Sequence, residues 1–200
     1  MLKNSIDWRF FTPMPTSGKV VIIDIDYDEY VYLYKNLSGY VIDYYSNLCD
    51  FFSEERLSNY NIVIIPHGVS PEDWDNRLMQ KIKQVLLPGG MLFLGFYNSF
   101  GFSAFVKNRA RTAITINKMK SFLVKEKYSS ISFFAMLPDL SAPEYIFPLD
   151  PEALRFTLEK KYGRKIFINF LLPFLSSWSL KIFLNILPCY SVVATISDNP

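Results

Sequence analysis

Lys19-Val20-Val21-Ile22-Ile23-Asp24 opens on a charge, runs through four β-branched residues and ends on a carboxylate. A strand with one wet face alternates apolar and polar residues. An unbroken run is what a strand buried on both faces of a parallel sheet requires. The pattern recurs in Asn61-Ile62-Val63-Ile64-Ile65-Pro66 and in Met91-Leu92-Phe93-Leu94-Gly95-Phe96-Tyr97. Helical signals lie between these runs. Asp28 to Leu37 sets Tyr30, Leu33, Tyr34 and Leu37 at helical spacing, and Ser38-Gly39 closes it. Tyr40 to Tyr45 reads as a second strand and Leu48 to Leu57 as a short helix. Ser70 is a helix N-cap, with Pro71 at the first helical position and Glu72 and Asp73 in the first turn. Leu78, Ile82, Val85 and Leu86 give that helix its apolar stripe, and Leu87-Pro88-Gly89-Gly90 ends it. Alternating strands and helices with short connections predict an α/β sandwich with a mostly parallel central sheet and flanking helices.

The second half is less regular. Thr115 to Tyr128 reads as a basic amphipathic helix, Ile131 to Leu137 as a strand, and Asp139 to Pro148 as a loop. Pro151 to Tyr162 is a helix capped by Asp150, with Gly163 past its end. Two apolar pieces follow, 165–172 and 178–187, and then a closing strand, 190–196. Six strands are expected, near 19–25, 40–45, 61–66, 91–97, 131–137 and 190–196. A chain of 200 residues that is 50% hydrophobic fills one core, so residues 1–200 read as a single domain. In it 18–100 is a Rossmann-like nucleotide-type core and 101–200 a helix-rich half that completes the sheet.

Residues 18–100 resemble the class I S-adenosylmethionine (SAM) methyltransferases. In that family the first strand ends in an acidic residue and enters a D-x-G-x-G-x-G loop. The second strand ends in an acidic residue that binds the ribose hydroxyls, and a later helix runs into a Leu-x-Pro-Gly-Gly turn. Here Asp24 closes the first run, Asp43 lies 19 residues on, and Leu86-Leu87-Pro88-Gly89-Gly90-Met91-Leu92-Phe93 matches the later motif. The resemblance implies a Rossmann-like, methyltransferase-type sandwich, SAM as cofactor, and Asp24, Asp26 and Asp43 as cofactor-binding positions. The loop departs from the pattern. Asp24-Ile25-Asp26-Tyr27-Asp28-Glu29-Tyr30 puts Asp26, Asp28 and Tyr30 where three glycines belong. Those glycines permit a tight turn and close approach of the backbone to the ligand. A Cβ at each obstructs both, and the added carboxylates repel the carboxylate of SAM. The resemblance therefore implies either a pseudo-methyltransferase that keeps the fold as a scaffold, or an active enzyme on a small molecule or peptide with a rearranged loop.

Further candidates come from position and residue type. His67, the one histidine, follows a strand on the carboxyl edge of the sheet, where such folds place their chemistry, and is the candidate general base. Tyr97, Asn98 and Ser99 follow the next strand on the same edge as candidate substrate contacts. No metal site is expected. The acidic group Asp24, Asp26, Asp28 and Glu29 lacks a calcium-loop pattern and reads as a helix cap and first turn. Cys49 and Cys189 have no CxxC partner and read as buried free thiols of a reducing compartment. The chain begins without a signal-peptide core, and no run reaches the ~18 apolar residues of a membrane span, so a cytoplasmic protein is expected.

Residues 1–100 carry 8 Lys/Arg against 12 Asp/Glu and residues 101–200 carry 13 against 7, a net −4 and +6. The basic run of Lys107, Arg109, Arg111, Lys118, Lys120, Lys125 and Lys127 reads as a solvated face or a contact with an acidic protein surface, and nucleic acid is not the expected partner. The apolar load at 166–187 admits burial against the sheet, a partner-protein or homo-oligomer interface, or a peripheral membrane contact. The expectation is a partner subunit or homo-oligomer.

Overall fold

A computed structural model describes residues 17–24, 31, 39–54, 59–67, 76–101, 114–140, 143–162 and 176–196. In chain order the elements are β1 (Gly18–Ile23), β2 (Tyr40–Tyr45), α1 (Leu48–Ser53), β3 (Tyr60–Ile65), α2 (Asn76–Val85), β4 (Leu86–Tyr97), α3 (Ile116–Lys125), β5 (Tyr128–Leu137), β6 (Tyr145–Pro148), α4 (Pro151–Tyr162), α5 (Ser177–Asn185) and β7 (Cys189–Ile196). One seven-stranded sheet runs in the order β2-β1-β3-β4-β7-β5-β6. All six expected strands lie in it. The seventh, β6, occupies the stretch read as a loop, and residues 25–30 and 163–175 fall outside the described set.

The sheet is mixed, which corrects the mostly parallel expectation. β1 pairs with β2 and β3, and β3 with β4, all parallel, whereas β4–β7, β5–β7 and β5–β6 are antiparallel. The physical reason lies in the connections. A parallel pair needs a long crossover, while a short link forces a hairpin, and β5 and β6 are joined by seven residues. The crossover from β4 through α3 to β5 leaves a space one strand wide. The last strand fills it from the opposite direction.

The buried runs behave as their sequence requires. Val20, Val21, Ile22 and Ile23 are fully buried, as are Val63, Ile64 and Ile65. Alternate residues feed two cores. Val21, Ile23, Val63, Ile65, Leu92, Leu94 and Phe96 face one layer; it holds Phe51 of α1, Leu78 and Ile82 of α2, Met119 and Leu123 of α3, Leu154 of α4, and Leu180 and Leu184 of α5. Val20, Ile22, Ile62, Ile64, Met91 and Phe93 form a second cluster on the opposite face. Caps set several helix starts. Asn47 accepts from Asp50 N at 2.9 Å, Thr115 from Lys118 N at 3.2 Å, and Asp150 from Glu152 N and Ala153 N at 2.9 and 3.1 Å. The expected start at Ser70 lies outside the described residues.

The Pro-Gly-Gly turn does not separate helix from strand. α2 ends at Val85, and Leu86 already pairs with Tyr60. The next pair is Ile62 with Met91, so residues 87–90 bulge out of β4, with Gly89 at φ 71° where side chains are disfavoured. A polar clamp fixes the far end of β4. Asn98, 1% exposed, donates from Nδ2 to the carbonyls of Asn185 and Leu187 at 2.7 and 2.9 Å and to Tyr190 Oη at 3.2 Å. Its Oδ1 accepts from Phe100 N at 3.3 Å, its own N–H donates to Pro188 O, and Tyr190 Oη donates to Leu184 O. The end of α5 and the start of β7 are thereby tied to the end of β4. Asn98→Ala would take the donor from the part-buried carbonyls of Asn185 and Leu187 and empty a buried site, at about 1–3 kcal/mol in all. The urea midpoint should drop clearly, with the m-value unchanged; an unaltered midpoint would refute the clamp.

Candidate functional site

The carboxyl ends of β1, β3, β4 and β5 share one edge, and the residues just past them are Asp24, His67, Asn98–Ser99 and Asp139. Asp24 turns out of β1 with φ 65°, while its N–H donates to Tyr45 O at 3.0 Å. That left-handed backbone is uncommon outside glycine, although aspartate tolerates it better than most residues. The chain thus bends sharply at the first position of the family's loop. Asp26 lies outside the described residues.

His67 follows Pro66, and the close packing of β3 on β4 fixes where it emerges. A Cβ on Gly95 would come within 2.1 Å of Pro66 O and 3.2 Å of Leu140 Cδ2, so only glycine fits between them. His67 is half-buried, with Nδ1 shielded from solvent. Tyr97, half-buried at the end of β4, donates to Asp139 Oδ1 at 3.0 Å. Asp139 comes from the β5–β6 connection, 42 residues away in sequence, and no local pattern marks it as a site residue. Its one sequence signal is the Pro138-Asp139 turn after a strand. Ser99 is half-buried beside Phe100, which is 67% exposed. The edge therefore gathers a histidine, a tyrosine–carboxylate pair, a serine hydroxyl and an exposed aromatic ring.

Two other candidate residues are placed differently. Asn98 is buried, and its amide is engaged by the clamp to α5 and β7. Asp43 is paired with Val21 inside β2, two residues before the strand ends. Its Oδ2 accepts from Tyr60 Oη at 2.7 Å and lies 2.9 Å from the Lys19 ammonium, which itself sits 5.1 Å from the centre of the Tyr60 ring. Lys19 N also donates to Asn61 Oδ1 at 2.8 Å. The knot joins Lys19 near the start of β1, Asp43 in the carboxyl half of β2 and Tyr60 at the start of β3. Polar groups beyond β2 are likewise occupied with one another: Ser46 Oγ and Asn47 Nδ2 donate to Asp50 Oδ2 at 2.9 and 2.8 Å.

The described residues contain no group of His, Cys, Asp and Glu able to hold a metal ion. Cys49 is exposed, against expectation, because it occupies the outer side of α1, whose inward residue is Phe51; Cys189 is buried, with Sγ donating to Met136 O at 2.9 Å. Burial pushes the hydroxyl of Tyr60 well above the ordinary tyrosine range, and its hydrogen bond to Asp43 adds to the shift. Burial likewise raises Tyr128 and Tyr190. A raised folded value means that the folded chain keeps protons the unfolded chain releases above about pH 10. Stability contributed by these tyrosines is therefore complete below about pH 10 and declines as pH rises further. Denaturant midpoints followed into alkali should show that decline, and Tyr60→Phe should make it shallower. The same variant should cost about 1 kcal/mol at neutral pH, discounted for the partial exposure of Asp43.

No family model matches the chain, and no curated protein matches its sequence. Solved structures share the fold. Phosphoethanolamine N-methyltransferase 2 of Haemonchus contortus, solved in complex with S-adenosyl-L-methionine, superposes with a TM-score of 0.56 at 14% identity over 94% of this chain and 50% of that one. The same enzyme with phosphomonomethylethanolamine and S-adenosylhomocysteine gives 0.54, covering 94% and 51%. A SAM-dependent methyltransferase of Archaeoglobus fulgidus gives 0.56 at 12% identity, covering 94% of this chain and 90% of that one. The chain thus spans about half the length of the Haemonchus enzyme and most of the Archaeoglobus one. With its seven-stranded mixed sheet and helix layer, the chain has the fold of the class I SAM-dependent methyltransferases.

Proposed function

We propose that this chain is a pseudo-methyltransferase: a methyltransferase fold kept as a binding platform, its SAM site no longer functional. The observation that carries the reading is the engagement of Asp43 by Tyr60 and Lys19. Both contacts fall on Oδ2, so a ribose diol would compete with a phenol and an ammonium ion for that carboxylate. The sequence adds Asp26, Asp28 and Tyr30 at the loop's glycine positions. A carboxylate ligand approaching that loop meets like charge, and the N-terminus of the helix that the sequence predicts from Asp28 would offer only about 0.3–1 kcal/mol in return. As a platform, the protein acts through the surfaces its second half presents to a partner.

An active methyltransferase on a small molecule or peptide is the second reading. It is favoured by the Tyr97–Asp139 pair and by His67 on the same edge, groups able to orient an acceptor and take its proton. The two readings part on binding. Calorimetry with SAM and S-adenosylhomocysteine should show no binding tighter than about 1 mM on the first reading, and micromolar affinity would overturn it. On the second, Asp43→Ala removes cofactor binding and His67→Ala lowers turnover without unfolding the chain.

A further inference from the structure

Helix α3 is charged against its own stability. Thr115 caps it, accepting from Lys118 N at 3.2 Å. Three residues after a threonine cap is the position from which a glutamate or glutamine reaches back to the cap. Lysine stands there instead, and the first turn holds no acidic residue, although the positive end of the helix dipole favours one. Lys118, Lys120, Lys125 and Lys127 put four cations into ten positions. All four are exposed, and among the described residues none has an ion-pair partner.

The cations share one surface. Met119 and Leu123 turn into the core. Lys118 and Lys125, seven residues apart, line up on one side with exposed Ser121 between them. Lys120 and Val124, four apart, form the adjoining row, and Val124 is 57% exposed. Nothing beside this face balances it. β5, on which α3 packs, has no acidic residue, and Glu126, half-buried at the helix end, is the one carboxylate from Ile114 to Ser132. Glu152 and Glu159 belong to α4, which packs on α5 and β6. A local rule broken without local gain marks a functional surface.

The residue types select the occupant. From Ile114 to Ser132 there is no arginine and no exposed aromatic ring. The face therefore offers no ring on which a base could stack, and no tryptophan or phenylalanine to settle in a lipid boundary. An acidic polypeptide answers both features present: its carboxylates meet the lysines, and an apolar side chain meets Val124.

We propose that the exposed face of α3, with Lys118, Lys120, Val124 and Lys125, docks an acidic segment of a partner protein. This rests on the platform reading above and names the chemistry of the partner; its failure is distinguishable, because calorimetry with SAM decides that reading separately.

The probe is fluorescein-labelled polyglutamate, followed by anisotropy with the full chain at low salt. It should bind, and the affinity should fall as added salt screens the charges. Lys118→Gln, Lys120→Gln and Lys125→Gln together should weaken binding by roughly tenfold or more. Lys83→Gln with Lys181→Gln, on other helices, should leave it unchanged. Lys118→Glu should weaken binding and at the same time raise the melting temperature, because an acid suits the first turn. Four results would overturn the proposal. One is failure to bind polyglutamate at low salt. Another is equal binding by the triple glutamine variant. A third is a Lys118→Glu chain that does not melt higher, which would make the lysine a structural residue. The last is tighter binding of duplex DNA or of phosphatidylserine vesicles through the same lysines, which would make the occupant a nucleic acid or a lipid surface.

Discussion

The fold depends on β7 reaching its slot. β3 and β4 close a parallel half-sheet, β5 begins after a crossover, and neither half is complete until an antiparallel strand bonds to both. β7 does this over seven consecutive residues against β4, and its first six residues are all buried. The Asn98–Tyr190 clamp lies where that strand starts, so the turn between α5 and β7 is held by hydrogen bonds rather than by packing alone. Because the last strand pairs in the middle of the sheet, the interior of the molecule is finished by its C-terminal segment.

That arrangement also explains the fate of the polar residues. In this fold chemistry collects at the carboxyl edge of the parallel strands, and the same edge must be sealed where β7 begins. Asn98 is taken for the seal, while Tyr97 and Ser99, one residue to either side, keep contact with the open part of the edge. Within β2, Asp43 is taken for a different purpose. It gives a partner to the Lys19 ammonium and to the phenol of Tyr60, both drawn against a sheet of branched aliphatic residues. Leaving either donor unpaired in such surroundings is costly. One oxygen of that carboxylate therefore serves the sheet itself.

The helices show the same division of surface. α2 is anchored by Leu78, Met79, Ile82 and Val85, all buried, and its Lys81 reaches the end of α1, donating to Phe52 O at 2.6 Å above the rings of Phe51 and Phe52. α5 differs. It spends two leucines on the core and presents a tryptophan, an isoleucine and a phenylalanine outward. Apolar composition is thus a poor guide to burial in this part of the chain, since a helix lying on a sheet conceals only one side.

By itself the sequence determined six of the seven strands and the depth of the central ones. The unbroken runs at 20–23, 62–65 and 91–94 have no polar residue to turn toward water, so they are core strands in any arrangement that buries them. It determined the cap at Asp150, whose side chain answers the amides two and three residues on. These are local or periodic properties. Tertiary structure alone decided the rest. Residues 189–196 could have paired at either edge of the sheet or in its middle, and only the gap left by the β4–β5 crossover makes the direction antiparallel. Asp43 and Asn98 carry the same groups whether they bind a ligand or brace the fold. Which they do depends on Lys19 and Tyr60, or on Asn185, Leu187 and Tyr190, being brought within hydrogen-bonding distance across 17 to 92 residues of chain. Tyr97 meets Asp139 for the same reason. Hydrogen bonds act over a few ångströms, and where the partners stand far apart in sequence only the packed fold brings them together.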